Sequence, residues 1–153
     1  MRKKPILLLM LLAGFLSLMV PGAHSQAMGQ EAAKVFPAKI RIVSDGGQAV
    51  IALYDTPASR DFVSLLPLSL SFRDYVGEEK IANLPHWLTT QGSRSGGDVQ
   101  GDFTYYAPWG NLAVFYKGFG KDRNLYILGR IESGKEWLAG QTADFTARIE
   151  VIE

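Results

Sequence analysis

Leu53-Tyr54-Asp55-Thr56-Pro57-Ala58-Ser59-Arg60-Asp61-Phe62-Val63-Ser64-Leu65-Leu66-Pro67-Leu68 is the stretch where the hydrophobic period of the chain changes and then changes back. Thr56 has a side-chain oxygen that can cap a helix, and Pro57 suits the first helical position, where no N–H is needed. Ala58, Phe62, Leu65 and Leu66 then fall on one face at the 3.6-residue spacing, and Pro67 ends the run. The reading is one short helix set between segments that alternate with a period of two.

Working outward, Ile40 and Ile42 share a face within Lys39–Val43. Ser44-Asp45-Gly46-Gly47 forms a turn and Gln48–Tyr54 returns, which makes a hairpin. On the other side, Leu68, Leu70 and Phe72 alternate with Ser69, Ser71 and Arg73, a half-buried strand. A short strand is expected around Glu79–Ala82. Thr89–Asp102 reads as a long, polar, glycine-rich loop. Phe103–Tyr106 and Leu112–Tyr116 are strands joined through Ala107-Pro108-Trp109-Gly110-Asn111, and Lys117–Asn124 is a second loop. Leu125–Ile131 is a strand. Ser133-Gly134-Lys135-Glu136 has capping-box spacing ahead of Trp137 and Leu138, with Gly140 suited to the C-terminal cap. Phe145, Ala147, Ile149 and Val151 alternate to the end. These seven or eight strands lie too close together for repeated βαβ crossovers. The expected fold is mainly β, a closed barrel of about eight strands with two short capping helices. Phe62, Leu65, Leu70, Phe72, Val114, Ile127, Phe145 and Ile149 are its expected core.

The N-terminus differs in kind from the rest. Arg2, Lys3 and Lys4 precede an almost wholly apolar run from Ile6 to Val20, followed by Pro21, Gly22 and small residues. The run is short for a bilayer span of about 20 residues and suits a secretory signal at residues 1–25, with cleavage after Ser25 or Ala27. Residues 26–36 form a lead-in, and the domain occupies 37–153. The expected location is therefore periplasmic or extracellular, with no membrane span left after cleavage. Residues 1–25 hold three of the 16 Lys and Arg and none of the 15 Asp and Glu, leaving 13 basic against 15 acidic residues, a net charge of −2. That is a poor match to nucleic acid, which demands a basic face. The chain has no cysteine and only His86 beyond the leader, so thiolate chemistry and a multi-histidine metal site are excluded and no cofactor is implied.

Three blocks together resemble the bacterial cyclophilin-like fold family: Leu53–Leu68 quoted above, Gly101-Asp102-Phe103-Thr104-Tyr105-Tyr106-Ala107-Pro108-Trp109-Gly110-Asn111-Leu112-Ala113-Val114-Phe115-Tyr116, and Leu128-Gly129-Arg130-Ile131-Glu132-Ser133-Gly134. The resemblance extends over Ala38–Glu153 and implies a closed eight-stranded barrel with a helix at each end. True cyclophilins are peptidyl-prolyl isomerases whose site is a groove on the outside of the barrel. It has a catalytic arginine in a Phe-His-Arg segment and a downstream Gln-Gly-Gly-Asp. This chain has no Phe-His-Arg, and Ser95-Gly96-Gly97-Asp98 matches only the Gly-Gly-Asp part. No isomerase residue is carried over, because a fold does not convey an activity.

The residues themselves suggest where a ligand would sit. Tyr105 and Tyr106 must face opposite sides of their strand, so one of them points away from the core. Trp109 lies on the following turn. Arg130 stands beside a strand glycine, where it could bind a carboxylate or carbonyl, or else pair structurally with Glu132 or Asp102. The expected ligand site is Tyr106, Trp109 and Arg130 with Gly96 and Gly97 of the Gly92–Gly101 loop, and the expected ligand is an extended peptide or small molecule. Arg60-Asp61 reads as a local ion pair and His86 as a surface or half-buried packing residue. Glu78 and Glu79 diverge as strand neighbours and so form no shared acid site. Three functions follow: a binding module without efficient catalysis, a diverged isomerase, or an accessory domain of an envelope or redox system. An open aromatic groove with an arginine at its floor would favour the isomerase, and a featureless wall the accessory domain.

Overall fold

The computed structural model describes residues 38–97, 99–118 and 120–153. The proposed leader (1–25) and lead-in (26–36) lie outside them. The elements run β1 (Lys39–Ser44), β2 (Gly47–Leu53), α1 (Pro57–Ser64), β3 (Leu68–Tyr75), β4 (Glu79–Asn83), β5 (Asp102–Tyr106), β6 (Asn111–Phe115), β7 (Leu125–Ser133), α2 (Lys135–Gly140) and β8 (Phe145–Val151). A single 3-10 turn at Ala107–Trp109 joins β5 to β6. The strands close in the order β1-β2-β7-β5-β6-β4-β3-β8, every pair antiparallel. Closure leaves no sheet edge, so no row of backbone N–H and C=O groups is left unpaired at an edge.

Alternation sorts the side chains. Ile40, Ile42, Ala49, Ile51, Leu53, Phe72, Phe103, Tyr105, Leu112, Val114, Leu128, Ala147 and Ile149 point inward and form one cluster. The two helices add to it. Thr56 Oγ1 accepts the Ser59 N–H at 3.2 Å to start α1, which places Ala58, Phe62 and Val63 in the core. The Ser59 hydroxyl donates to the Leu128 carbonyl at 2.9 Å and ties the helix to β7. Helix α2 contributes Leu138.

Of the expected core, Phe62, Phe72, Val114 and Ile149 are fully buried. Leu65, Leu70 and Phe145 are only half-buried, because they pack at the margin of the interior cluster. The capping box does not form. Ser133 ends β7, and Gly134 is the N-cap with φ of 80° and no side-chain cap. A Cβ at Gly134 would lie 2.1 Å from the Gln48 carbonyl oxygen, so both the left-handed turn and the close approach to β2 require glycine. Gly140 is the last residue of α2, and Gln141 leaves in an extended conformation. The expected glycine C-cap is thus replaced by an extended exit. The loop at 89–102 is not free: Ser95 bridges Tyr126, and the Ile127 N–H donates to the Arg94 carbonyl at 2.9 Å. It lies along the outside of β7.

Candidate functional site

Strands β4, β5 and β6 are buried almost throughout (Glu79–Ala82, Asp102–Tyr105, Asn111–Phe115), so their outward faces are covered as well as their inward ones. Continuous apolar character in a strand signals this kind of double burial. Ile81, Ala113, Phe115 and Leu125 form a second apolar cluster on the outer wall, with Tyr75 and Tyr106 packed against it. Register explains the grouping. Tyr75 pairs Glu79, and Glu79 pairs Phe115, a row across three strands. Ile81 pairs Ala113, and Asn111 pairs Tyr106, which pairs Leu125.

Trp109, on the 3-10 turn, leans over this wall. Its ring meets Tyr75 at 5.7 Å and 81°, and Tyr106 at 5.4 Å and 90°, both edge-to-face. The result is a concavity of about 360 Å³ lined by Tyr75, Glu79, Ile81, Tyr106, Trp109 and Phe115, with Asn111 in its wall and Lys121 and Asp122 at its rim. Trp109 remains half exposed, so the concavity is open to solvent.

One carboxylate belongs to this surface. Glu79 is only 8% exposed, and its Oε2 is buried without a hydrogen-bond partner. Burial pushes its carboxyl up to about 7, and the nearby charge of Asp74 adds to the shift. The amide oxygen of Asn111 is also buried without a partner; its Nδ2 donates to the Leu112 carbonyl at 2.8 Å.

Tyr106 and Trp109 therefore line one concavity. Arg130 does not line it. Its guanidinium donates to Asp102 Oδ1 at 3.2 Å and to the Gln100 carbonyl at 3.1 Å, further along the outer wall. Of its two expected structural partners, Asp102 is the one used, while Glu132 pairs Lys39 at 3.4 Å. Gly97 packs on Ile127 and Thr104. The Gly96 N–H donates to the Leu125 carbonyl at 2.9 Å. Both glycines hold the 94–97 segment against β7, and neither lines the concavity. Asp98 lies outside the described residues. Arg60 pairs Asp55 at 2.6 Å, and Asp61 accepts the Thr89 N–H at 2.6 Å. His86 is exposed. Among the described residues, no group of three or more His, Cys, Asp or Glu could hold a metal, and no helix is long and apolar enough to cross a membrane.

Comparison with known proteins gives this arrangement a family. The model of the cyclophilin-like family matches residues 42–150. The chain belongs to the cyclophilin-like family. A hypothetical protein from Archaeoglobus fulgidus, solved in solution, is similar in structure with a TM-score of 0.54 at 20% identity, covering 80% of this chain and 98% of the other. That likeness bears on the fold alone. No curated protein matches. On this cyclophilin-like barrel the concavity lies on the outside wall, where the resemblance leads one to look for a groove.

The sequence reading did not single out Tyr75 or Glu79 for the concavity. Glu79 carried one usable signal: it alternates with Ile81 in a strand whose inward residues are Lys80 and Ala82, so its outward face mixes a carboxylate with an aliphatic residue.

Proposed function

We propose that this is an exported ligand-binding module of the cyclophilin-like family, and that an extended peptide or small molecule occupies the aromatic concavity on the outer wall. The observation that carries the reading is the concavity itself, about 360 Å³ with aromatic walls and few polar groups. Ligand sites typically measure about 300–1,000 Å³ and combine apolar area with a few placed polar groups. The perpendicular rings of Tyr75, Trp109 and Tyr106 support one another, which favours a preformed surface.

Binding is favoured over efficient isomerase turnover. An isomerase must lower a barrier of about 18–20 kcal/mol by stabilising a twisted amide, and a fixed cationic donor commonly serves that purpose. The charged residues among the described lining are Glu79, Lys121 and Asp122. Arg130, the arginine that the sequence reading placed in the ligand site, is engaged with Asp102 and Gln100.

The test is a ligand screen by nuclear magnetic resonance or thermal shift, followed by Trp109→Ala and Arg130→Ala. Ligands that lose about tenfold or more in affinity with Trp109→Ala alone support the reading. Loss with Arg130→Ala alone overturns the placement, and turnover of X-Pro peptides comparable to a true cyclophilin overturns the class. Export rests on the basic, apolar and small-residue order of residues 1–27. N-terminal sequencing of protein from the envelope or medium is expected to begin at Gln26 or Met28, and an intact Met1 there would refute it.

A further inference from the structure

The concavity gathers aromatic rings, a buried carboxylate and a buried amide oxygen. The faces of Tyr75, Tyr106, Trp109 and Phe115 carry the negative end of the aromatic quadrupole. The Glu79 carboxylate sits among them with Oε2 unpartnered. The Asn111 amide oxygen, a further negative dipole end, is unpartnered in the same wall. At the rim, Lys121 and Asp122 have opposite charges, so the ionised lining has a net charge of −1 that resides on Glu79. Glu79 Oε2 is buried with no hydrogen-bond partner, and Asp74 adds a like charge beside it. Lys80, next in sequence, points to the other face and is spent on Asp74 at 2.6 Å.

We propose that the outer-wall concavity is a cation-binding cage for an alkylammonium group, with Tyr75, Tyr106 and Trp109 as walls and Glu79 as the counter-charge. The proposal rests on the binding reading above and names the ligand chemistry of that same site. A soft organic cation is attracted to ring faces and tolerates loss of water better than a compact metal ion does. An ammonium within the cage lowers the cost of burying an ionised Glu79, because each charge then has a counter-charge. A neutral ligand would fill the same space and leave that carboxylate unpaired. The cation can come from a free small molecule or from a lysine side chain of a peptide, which present the same chemistry.

The coupling to Glu79 gives binding a pH signature. Only the ionised carboxylate is a counter-charge, so affinity rises as pH rises through about 7, and cation binding near that pH releases a proton. The titratable and charged groups around Glu79 are Asp74, Tyr75 and Glu78 on β3 and its turn, Tyr106 on β5, Tyr116 beyond β6, and Lys121 and Asp122 at the rim. Assignment to Glu79 therefore requires that its substitution remove the effect.

The experiment titrates the full chain with choline and with its neutral isostere 3,3-dimethyl-1-butanol, following Trp fluorescence and calorimetric heat. An acetylated trimethyl-lysine amide is run in parallel. Choline or the lysine amide is expected to bind about tenfold or more tightly than the neutral alcohol. Preference for the amide assigns the cation to a peptide, and preference for choline to a small molecule. Glu79→Gln, which keeps shape and hydrogen-bonding capacity, is expected to abolish the preference and the pH dependence. Trp109→Leu is expected to weaken both cations. Equal binding of choline and the alcohol, or a preference that survives Glu79→Gln, overturns the cation proposal while leaving a ligand site in place. If neither cation binds but neutral ligands perturb Trp109, the proposal fails and the binding reading stands. If no cation or neutral ligand perturbs Trp109, both fail.

Discussion

At the scale of single residues, Glu79 shows how a carboxyl can be brought to titrate near neutral pH, at about 7, by burial and a like charge. Burial against Ile81 and Phe115 removes water from it, and Asp74 adds a like charge. Its folded pKa lies above its unfolded value, so the protonated form favours folding. Stability linked to this group is full below about 4.5 and is lost as pH rises through about 7. The full linkage would be about 3 kcal/mol. The open mouth of the concavity lets water screen the charge, which reduces the expected effect to about 1–2 kcal/mol. Glu79→Gln should therefore raise the unfolding free energy by that amount at pH 8 and change it little at pH 4, as measured by denaturant unfolding at the two pH values. Equal effects at both would show that Glu79 is solvated and titrates in the folded protein as it does in the unfolded chain. Asp74 shows the opposite balance. Desolvation raises its pKa, but hydrogen bonds from Lys80, Tyr116 and the Gly77 N–H outweigh this and hold it below the usual carboxylate range.

At the scale of elements, the β3–β4 hairpin carries a local conflict. Val76 has φ of 49° and Gly77 φ of 73°, and the Glu78 N–H donates to the Tyr75 carbonyl at 3.1 Å. This is a type I′ geometry, which asks for asparagine or glycine where the chain has a β-branched residue. The turn was not legible in Tyr75-Val76-Gly77-Glu78, since only Gly77 is a turn former. Antiparallel pairing of β3 with β4 imposes it from outside. The strained residue directly follows Tyr75 and lies three positions before Glu79, so the hairpin that stores the strain also carries two walls of the site. Val76→Asn is expected to stabilise the protein by about 1 kcal/mol, because Val76 is exposed and loses little packing. A rise of about 4 °C in melting temperature would agree with this. A fall would mean that the valine side chain does more than cover the turn.

At the scale of the barrel, closure turns eight short strands into one interior and one occupied outer wall. The interior follows from alternation within each strand, and this part was readable: Ile40, Ile42, Phe72, Val114 and Ile149 are where the period of two places them. The helix at Pro57–Ser64, with its Thr56 cap, was also readable, because its signals lie within one turn of chain. Sequence likewise indicated that one of Tyr105 and Tyr106 faces away from the core, and the structure shows Tyr105 inside. These inferences succeed because backbone geometry dictates the orientation of neighbouring side chains within an element. Other features depend on what meets that element. Gly134 rather than Ser133 heads α2 because Gln48 of another strand passes 2.1 Å from where a Cβ would be. Arg130 is drawn to Asp102 because β5 and β7 pair them. Glu79 stands beside Phe115, 36 positions away, because β4 pairs β6 across the closed sheet. The sequence by itself thus determined the class of fold, part of the inward set and one helix. Only the tertiary structure decided which outward residues line the concavity, because cross-strand neighbours are set by register and closure, which no local period records.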